Sequence, residues 1–359
     1  MTSPRITVLS INGWCRNGST IIGNLLNEVP GFVHVGELHF LWKNAYANGS
    51  NTRCGCGLDL VRCPIWSRVL AAELPPGTSP AQYARQVRAR QWSSLRTRHT
   101  WRVLRDGLDS DARRDHAEFM ARTYRVIAEI TGARVIIDST KIPGESALLS
   151  RVEGIDPLYL HLVRDPRAVA HSWSKQKDYA YVMPASRSTA YWVGFNLASR
   201  AIAKRHPERS VFLRYEDFIA HPADTIRSLI ERCGGDPSGN PVHGRIAELQ
   251  NNHTVTGNPD RFKHGPTEIR AFDGAWQAEL STGAKLATLA LSWPLMKHYG
   301  YALRSELTND ATNDATNDAT NNATNNATNN ATTDPIGNRT TESTINGAGP
   351  APHGSRPHA

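Results

Sequence analysis

The 359-residue chain is 39% hydrophobic and carries 41 basic against 33 acidic side chains, a formal charge of +8, which is ample material for one large core. No stretch is apolar over the length a membrane span needs, and an odd number of cysteines, five, argues against a disulfide scaffold. The first apolar run is short and follows only Met1 to Arg5, so a cytoplasmic protein without a signal peptide is expected.

The first patterned stretch runs from Ile6 to Val29. Ile6, Val8, Leu9 and Ile11 read as a buried strand, and Ile21, Ile22, Leu25, Leu26 and Val29 recur at helical spacing. Between them Gly13 and Gly18 bracket a loop at a helix N-terminus, which aims several backbone N–H groups at one spot. An ATP-type phosphate loop has the form G-x-x-x-x-G-K-[ST]; Gly13 to Thr20 reads GWCRNGST, with Ser19 in place of the lysine and Arg16 inside the loop. Such a loop can cradle a 5′-phosphate and is poorly equipped for a magnesium-bound triphosphate. On this stretch alone, an ordinary strand-to-helix turn that needs two glycines is an equal reading.

Phe32 to Val35 predicts a second strand, and Gly36-Glu37 turns it into a helix-like run, Leu38 to Tyr46. Cys54, Cys56 and Cys63 then cluster in RCGCGLDLVRCPIW. They could hold a metal if a fourth ligand arrived from elsewhere; without a second cysteine pair, a turn with free thiols is expected. Ser79-Pro80 opens a helix with a hydroxyl N-cap and proline in the first turn. From Arg85 to Arg105 there are seven arginines and no acid, with Trp92 and Trp101 among them. This reads as a solvated helix face or as a basic lid for an anionic acceptor, and residues 48–110 are set apart as an insertion that would carry it.

Asp111 to Thr131 is amphipathic and Gly132 stops it. Arg134 to Asp138 is a strand leading into Ser139-Thr140-Lys141, Leu158 to Val163 is another leading into Arg164-Asp165-Pro166 and a helix, and Ser210 to Tyr215 is a further strand. Pro222 to Cys233 predicts a helix ended by Gly234-Gly235, and a last helix carries Leu286, Leu289, Trp293 and Met296 at helical spacing. From Ser305 the composition changes to TNDA and TNNA repeats with almost nothing to bury, which predicts a disordered tail over 305–359 and a folded unit over 1–304. Residues 1–304 carry 39 basic against 27 acidic side chains, a balance that suits an anionic ligand.

Strands that alternate with helices imply right-handed crossovers and an α/β fold with a mostly parallel sheet covered on both faces. In such sheets the ligand lies beyond the carboxyl ends of the strands. That rule gathers Arg16 to Thr20, Glu37, Asp138 to Lys141, and Arg164 to Ser172. Ser172 lies eight residues, about two helical turns, past Arg164. An arginine and a hydroxyl so placed can hold a second phosphate, although an Arg-Asp-Pro turn alone is more often structural. Together with the first loop they suggest a nucleotide phosphorylated at two positions.

With these residues in view the chain resembles sulfotransferases that use 3′-phosphoadenosine 5′-phosphosulfate (PAPS). Arg16-Asn17-Gly18-Ser19-Thr20 matches the family's [RK]-x-G-[ST]-T loop, and LVRDPRAVAHS, with Arg164 and Ser172, matches its 3′-phosphate motif. Gly257-Asn258-Pro259-Asp260-Arg261 is similar to the nucleotide-closing loop of bacterial members, with Asp273 and Trp276 in the pattern after it. The chain lacks the Tyr-Pro-Lys-Ser-Gly start, the Lys-x-x-His base motif and the Arg-Lys-Gly-x-x-Gly close of the cytosolic small-phenol branch. It is more similar to bacterial and Golgi-type members, in which a Gly-Glu after the second strand supplies the base, and Gly36-Glu37 sits there.

The resemblance implies a P-loop-like three-layer α/β/α fold and in-line sulfuryl transfer from PAPS to a hydroxyl of a carbohydrate, glycolipid or other small natural product. Glu37 would be the base, and Arg16 and Lys141 would stabilise charge. Asn17, Gly18, Ser19 and Thr20 would form the 5′-phosphate site. Arg164, Ser172 and Arg261 would hold the 3′-phosphate, beside Gly257 and Asn258 of the closing loop. No metal is required by this scheme. Each residue has a structural alternative: Glu37 as a helix-start acid, Lys141 paired with Asp138, Arg261 as a plain loop arginine, and His34 and His39 as packing or surface residues. The rival functions are a P-loop kinase, disfavoured by the missing loop lysine, and a non-catalytic nucleotide binder or nucleic-acid binder using the arginine-rich stretch, which would show steep salt dependence.

Overall fold

The computed structural model describes residues 5–176, 181–270 and 274–303; Asp273 and the repeats from Ser305 lie outside them. The chain divides into two units, Met1–Arg304 and Ser305–Ala359, and every described element belongs to the first. Its centre is a five-stranded, wholly parallel sheet in the order β2-β3-β1-β4-β5. The strands are β1 (Ile6–Asn12), β2 (Phe32–Gly36), β3 (Val135–Asp138), β4 (Ile155–Val163) and β5 (Ser210–Arg214). The chain leaves β1 for β2 and β3 on one side and returns to its other side at β4, so β1 stands at the topological switch point, where such sheets bind ligands.

Helix α1 (Ser19–Asn27) joins β1 to β2. Five helices lie between β2 and β3: α2 (Leu41–Tyr46), α3 (Trp66–Glu73), α4 (Pro80–Ser94), α5 (Thr100–Asp106) and α6 (Asp111–Thr131). Helix α7 (Pro143–Leu148) follows β3, α8 (Pro166–Ser174) and α9 (Ala185–Arg205) follow β4, and α10 (Tyr215–Ala220) and α11 (Pro222–Arg232) follow β5. A small antiparallel sheet of β6 (Val242–His243), β7 (Ile246–Leu249) and β8 (Gly265–Glu268) comes next, then α12 (Trp276–Glu279) and α13 (Thr282–His298).

Period-2 alternation along the strands builds two cores. Val8 and Ile136 enter one with Val69 of α3, Val87 of α4 and Tyr124 and Ile127 of α6. Leu9, Ile11, Ile137, Leu160 and Leu162 enter the other with Ile22, Leu25 and Leu26 of α1, Ile226 and Ile230 of α11, and Val242 and Ala247 of the small sheet. Both faces of the parallel sheet are thus covered, the P-loop-like three-layer arrangement. Among the described residues no helix is long and apolar enough to cross a membrane.

Several helix ends follow their local chemistry. Ser79 accepts from the Gln82 N–H at 3.3 Å with Pro80 in the first turn, Asp165 accepts from the Arg167 N–H at 2.8 Å ahead of Pro166, and Gly132 ends α6 at φ 70°.

The last helix departs from its reading. Leu286 and Trp293 are 61% and 51% exposed, while Thr288, Ser292, Leu295 and Met296 form the buried face. Hydroxyls can go inside here because each finds an oxygen: Ser292 donates to the Thr288 carbonyl at 2.7 Å, and Thr189 of α9 donates to Thr288 Oγ1 at 3.2 Å. Helix α9 escaped prediction because its inward face is polar as well: it buries Ser188, Thr189, Asn196 and Ser199 beside Trp192.

Candidate active site

The loop from Gly13 to Gly18 needs its glycines. Gly13 sits at φ 121° with the Leu162 carbonyl oxygen 2.2 Å from where a Cβ would lie, and Gly18 at φ 93° with Tyr215 Cδ2 at 2.3 Å. Arg16 between them is also left-handed, at φ 71°, a conformation that costs an ordinary residue about 1–2 kcal/mol. Asn17 is a buried pin: its Nδ2 donates to the Leu162 carbonyl at 2.9 Å and its Oδ1 accepts from the Ser19 N–H at 3.3 Å. No side chain caps α1 and no acid lies in its first turn, so the positive end of the helix is open to an anion. The Arg16 guanidinium lies 4.9 Å from the centre of the Trp173 ring.

Lys141, after β3, is nearly buried and left-handed at φ 58°. Its Nζ reaches Ser19 Oγ at 3.2 Å, the Ser139 carbonyl at 2.6 Å and Glu37 Oε1 at 2.9 Å. An ammonium has three protons, and these are three acceptors. Lys141 therefore links Ser19, at the start of α1, to Glu37 rather than pairing with Asp138. Asp138 instead accepts from the Thr140 N–H and the Tyr124 hydroxyl, each at 2.8 Å, and burial pushes it up to about 6. Behind Lys141, His34 bridges Asn24 Oδ1 at 3.2 Å and Ser139 Oγ at 3.1 Å, with burial, reinforced by the Lys141 charge, holding it down to about 3. His34 is thus a neutral packing residue.

In the turn after β4 the arginine bound to Asp165 is Arg167, whose Nε and Nη2 both donate to the carboxylate. Arg164 stays out of that pair: it donates to the Arg16 carbonyl at 3.2 Å, lies 4.6 Å from the Tyr215 ring centre, and its buried Nε has no hydrogen-bond partner among the described residues. Ser172 is half-buried on α8.

The 257–261 loop also arrives at α1. The Asn24 amide donates to the Asp260 carbonyl at 3.2 Å, and a Cβ on Gly257 would stand 3.8 Å from both Thr20 Oγ1 and Arg261 Cδ. Asn258 lies in that loop as the N-cap of its 3₁₀ turn. Arg261 is buried and spends Nη1 on the carbonyls of Arg53, Thr254 and Val255 at 2.8, 3.2 and 3.2 Å. It braces backbone, the structural alternative for this residue. Trp276 packs under Arg167, 4.2 Å from its guanidinium.

Beside this centre opens a cavity of about 820 Å³. His39 and Ile142 line it, two residues past Glu37 and one past Lys141. So do Arg85, Arg88, Trp92 and Arg96 of the arginine-rich stretch. That stretch is therefore a cavity wall and not only a solvated face. Two further lining residues, Tyr191 and Phe195, touch Trp14 of the loop after β1, with ring centres 4.9 and 4.7 Å away.

Sequence reasoning missed one group here. Glu145 of α7, nearly buried, accepts from His39 Nδ1 at 2.5 Å and His116 Nε2 at 2.7 Å. Burial alone would raise its pKa, but the charge of His39 and bonds from both imidazoles hold it well below the usual carboxylate range. The three residues are 106 and 29 positions apart, and no local spacing announces them.

A strand-loop-helix turn at the switch point, joined by Lys141 to Glu37, with a large cavity two residues beyond, belongs to a P-loop-like α/β fold. The sulfotransferase family model matches residues 9–236, and the chain belongs to that family. Structural similarity extends to the sulfotransferase domain of the Synechococcus PCC 7002 olefin synthase, at 19% identity, TM-score 0.48, covering 85% of this chain and 98% of that one. It extends also to the sulfotransferase domain of the curacin biosynthetic pathway (16%, TM-score 0.45, 84% and 99%) and to a sulfotransferase from Mycobacterium avium (13%, TM-score 0.44, 85% and 79%). No curated protein matches the chain.

Proposed function

We propose that the protein transfers a sulfuryl group from PAPS to a hydroxyl of a carbohydrate, glycolipid or other small natural product. The observation that carries the proposal is Lys141, whose Nζ lies 3.2 Å from Ser19 of the phosphate loop and 2.9 Å from Glu37. In this reading Asn17 and Gly18 shape the loop, and Ser19, Thr20 and its backbone N–H groups hold the 5′-phosphate. Arg16 and Lys141 neutralise charge on the sulfuryl and the leaving oxygen, and Glu37 takes the acceptor's proton. Arg164 and Ser172 hold the 3′-phosphate, while Gly257, Asn258 and Arg261 close the loop over the nucleotide. The acceptor occupies the cavity, whose arginines and aromatic rings suit a molecule with an apolar body and a negative group. Five free thiols suit the cytoplasm.

Calorimetric titration with adenosine 3′,5′-bisphosphate in the absence of magnesium, against AMP, ADP and Mg-ATP, tests the nucleotide. Binding should favour the bisphosphate, and Arg164→Ala should reduce its affinity toward that of AMP while leaving AMP almost unchanged. A preference for Mg-ATP would make the protein a kinase, and no nucleotide binding would return it to the basic binders. Glu37→Gln should lower kcat by roughly 10²–10⁴-fold with bisphosphate affinity intact.

A second assignment of the base has its own observation: His39 lines the cavity with Nδ1 held by Glu145, so that in its neutral form Nδ1 keeps the proton and the other ring nitrogen is the acceptor. If His39→Asn abolishes turnover and Glu37→Gln does not, the base is His39.

A further inference from the structure

Three cysteines of one turn and a histidine 190 residues beyond the last of them meet at a single point. Cys63 Sγ lies 3.2 Å and Cys54 Sγ 3.7 Å from His253 Nδ1, and Cys56 Sγ lies 4.0 Å from Cys63 Sγ. All four atoms fall within 4.8 Å of one another. A tetrahedral zinc ion with Zn–S about 2.3 Å and Zn–N about 2.0–2.1 Å requires S···S edges of about 3.8 Å and S···N edges of about 3.6 Å. The two S···N distances of 3.2 and 3.7 Å bracket the required edge, and the S···S distance of 4.0 Å lies slightly above its own. They are far longer than the roughly 2.05 Å of a disulfide, and all five cysteines are free.

We propose that Cys54, Cys56, Cys63 and His253 bind one structural zinc ion. The fourth ligand that the cysteine spacing lacks comes from a segment 190 residues further along the chain. Three thiolates and an imidazole are a zinc donor set, and four protein ligands fill its coordination sphere, leaving no open position for a substrate. The turn is shaped for this by its own backbone: the Cys54 N–H donates to the Leu58 carbonyl at 2.7 Å, Gly57 to Cys54 at 2.9 Å and Cys63 to Asp59 at 2.9 Å. The Trp66 indole N–H donates to the His253 carbonyl at 2.7 Å and holds that residue against the turn.

The ion would tie three parts of the protein together. Gly55 donates to the Thr254 carbonyl and Val255 to the Val35 carbonyl, each at 2.9 Å, and Arg261 Nη1 reaches Arg53, Thr254 and Val255. The cysteine turn, the end of β2 that leads to Glu37, and the 257–261 loop thus hang from one knot. The site does not depend on the proposed sulfuryl transfer and stands or falls by itself.

Elemental analysis of the purified full-length protein, expressed with zinc and handled without chelator, should find about one zinc per chain. Replacing that zinc with Co²⁺ should give the thiolate-to-cobalt charge-transfer and strong visible bands of a tetrahedral S₃N centre. His253→Gln and Cys56→Ser should each lower zinc retention. Because such variants can fail to fold, the unmodified protein provides the independent arm: chelation should lower its thermal midpoint, and Zn²⁺ but not Mg²⁺ should restore it. A metal content near zero together with no charge-transfer band, or an oxidised cysteine pair in thiol titration of the native chain, would overturn the site.

Discussion

At the scale of single residues, the centre is set by backbone conformations that few side chains tolerate. Gly18→Ala would place a methyl group 2.3 Å from the Tyr215 ring at φ 93°, a strain of about 1–3 kcal/mol. Urea unfolding should show that loss, and calorimetry should show bisphosphate binding weakened beyond it, because the same residue aims the loop. His34 gives a pH signature. Its ordinary value is 6.5 and its folded value is about 3, so below pH 6.5 the unfolded chain takes up a proton that the folded one refuses. Stability present in full above pH 6.5 drains away as pH falls toward 3. Between pH 7.5 and 4.5 this amounts to about 2–3 kcal/mol. His34→Gln should shrink the difference between urea midpoints at those two pH values, and an unchanged difference would reject the assignment. The loop and Arg164 were legible as motifs because their chemistry is carried by neighbours in sequence. The Glu145 pair of histidines was not, because only the tertiary fold brings Glu145 beside His39 and His116.

At the scale of elements, α4 is both a helix with an ordinary start and a wall of the cavity. Ser79→Ala should cost about 1 kcal/mol of stability, read by thermal or urea unfolding, without altering nucleotide affinity. Arg96 lies 3.9 Å from the Trp92 ring centre and lines the cavity. Once an acceptor is known, Arg96→Ala should raise its KM and leave kcat within a few-fold, the reverse of Glu37→Gln. Capped and striped elements such as α6 could be read directly from the sequence. Helices α9 and α13 could not, because their inward faces carry hydroxyls and an amide, most of them hydrogen-bonded within the bundle, and hydrophobic spacing records only apolar burial. The sheet of β6, β7 and β8 escaped for a simpler reason: its strands run to at most four residues.

At the scale of the whole molecule, the apolar clusters among the described residues draw on positions up to Tyr301. A chain ending at Arg304 should therefore keep the thermal midpoint and nucleotide affinity of the full protein. A large drop in either would give the repeat segment a part in the fold that its composition does not suggest. The alternation of strands and helices made the parallel sheet legible, whereas the strand order rests on four pairings, three of them over a hundred residues apart.

Those pairings set a timetable. Residues Ile6 to Asn12 come first in the chain, yet their two neighbours are β3 and β4, and Asn17 fastens the phosphate loop to Leu162. A growing chain holds its first strand without a partner until β3, which ends at Asp138, has left the ribosome, and without its second until β4 follows. Contacts of such separation are slow to form. The Gly13–Gly18 loop, spelled out by the opening residues, therefore takes its final shape only once Leu162, 145 residues beyond Asn17, is in place.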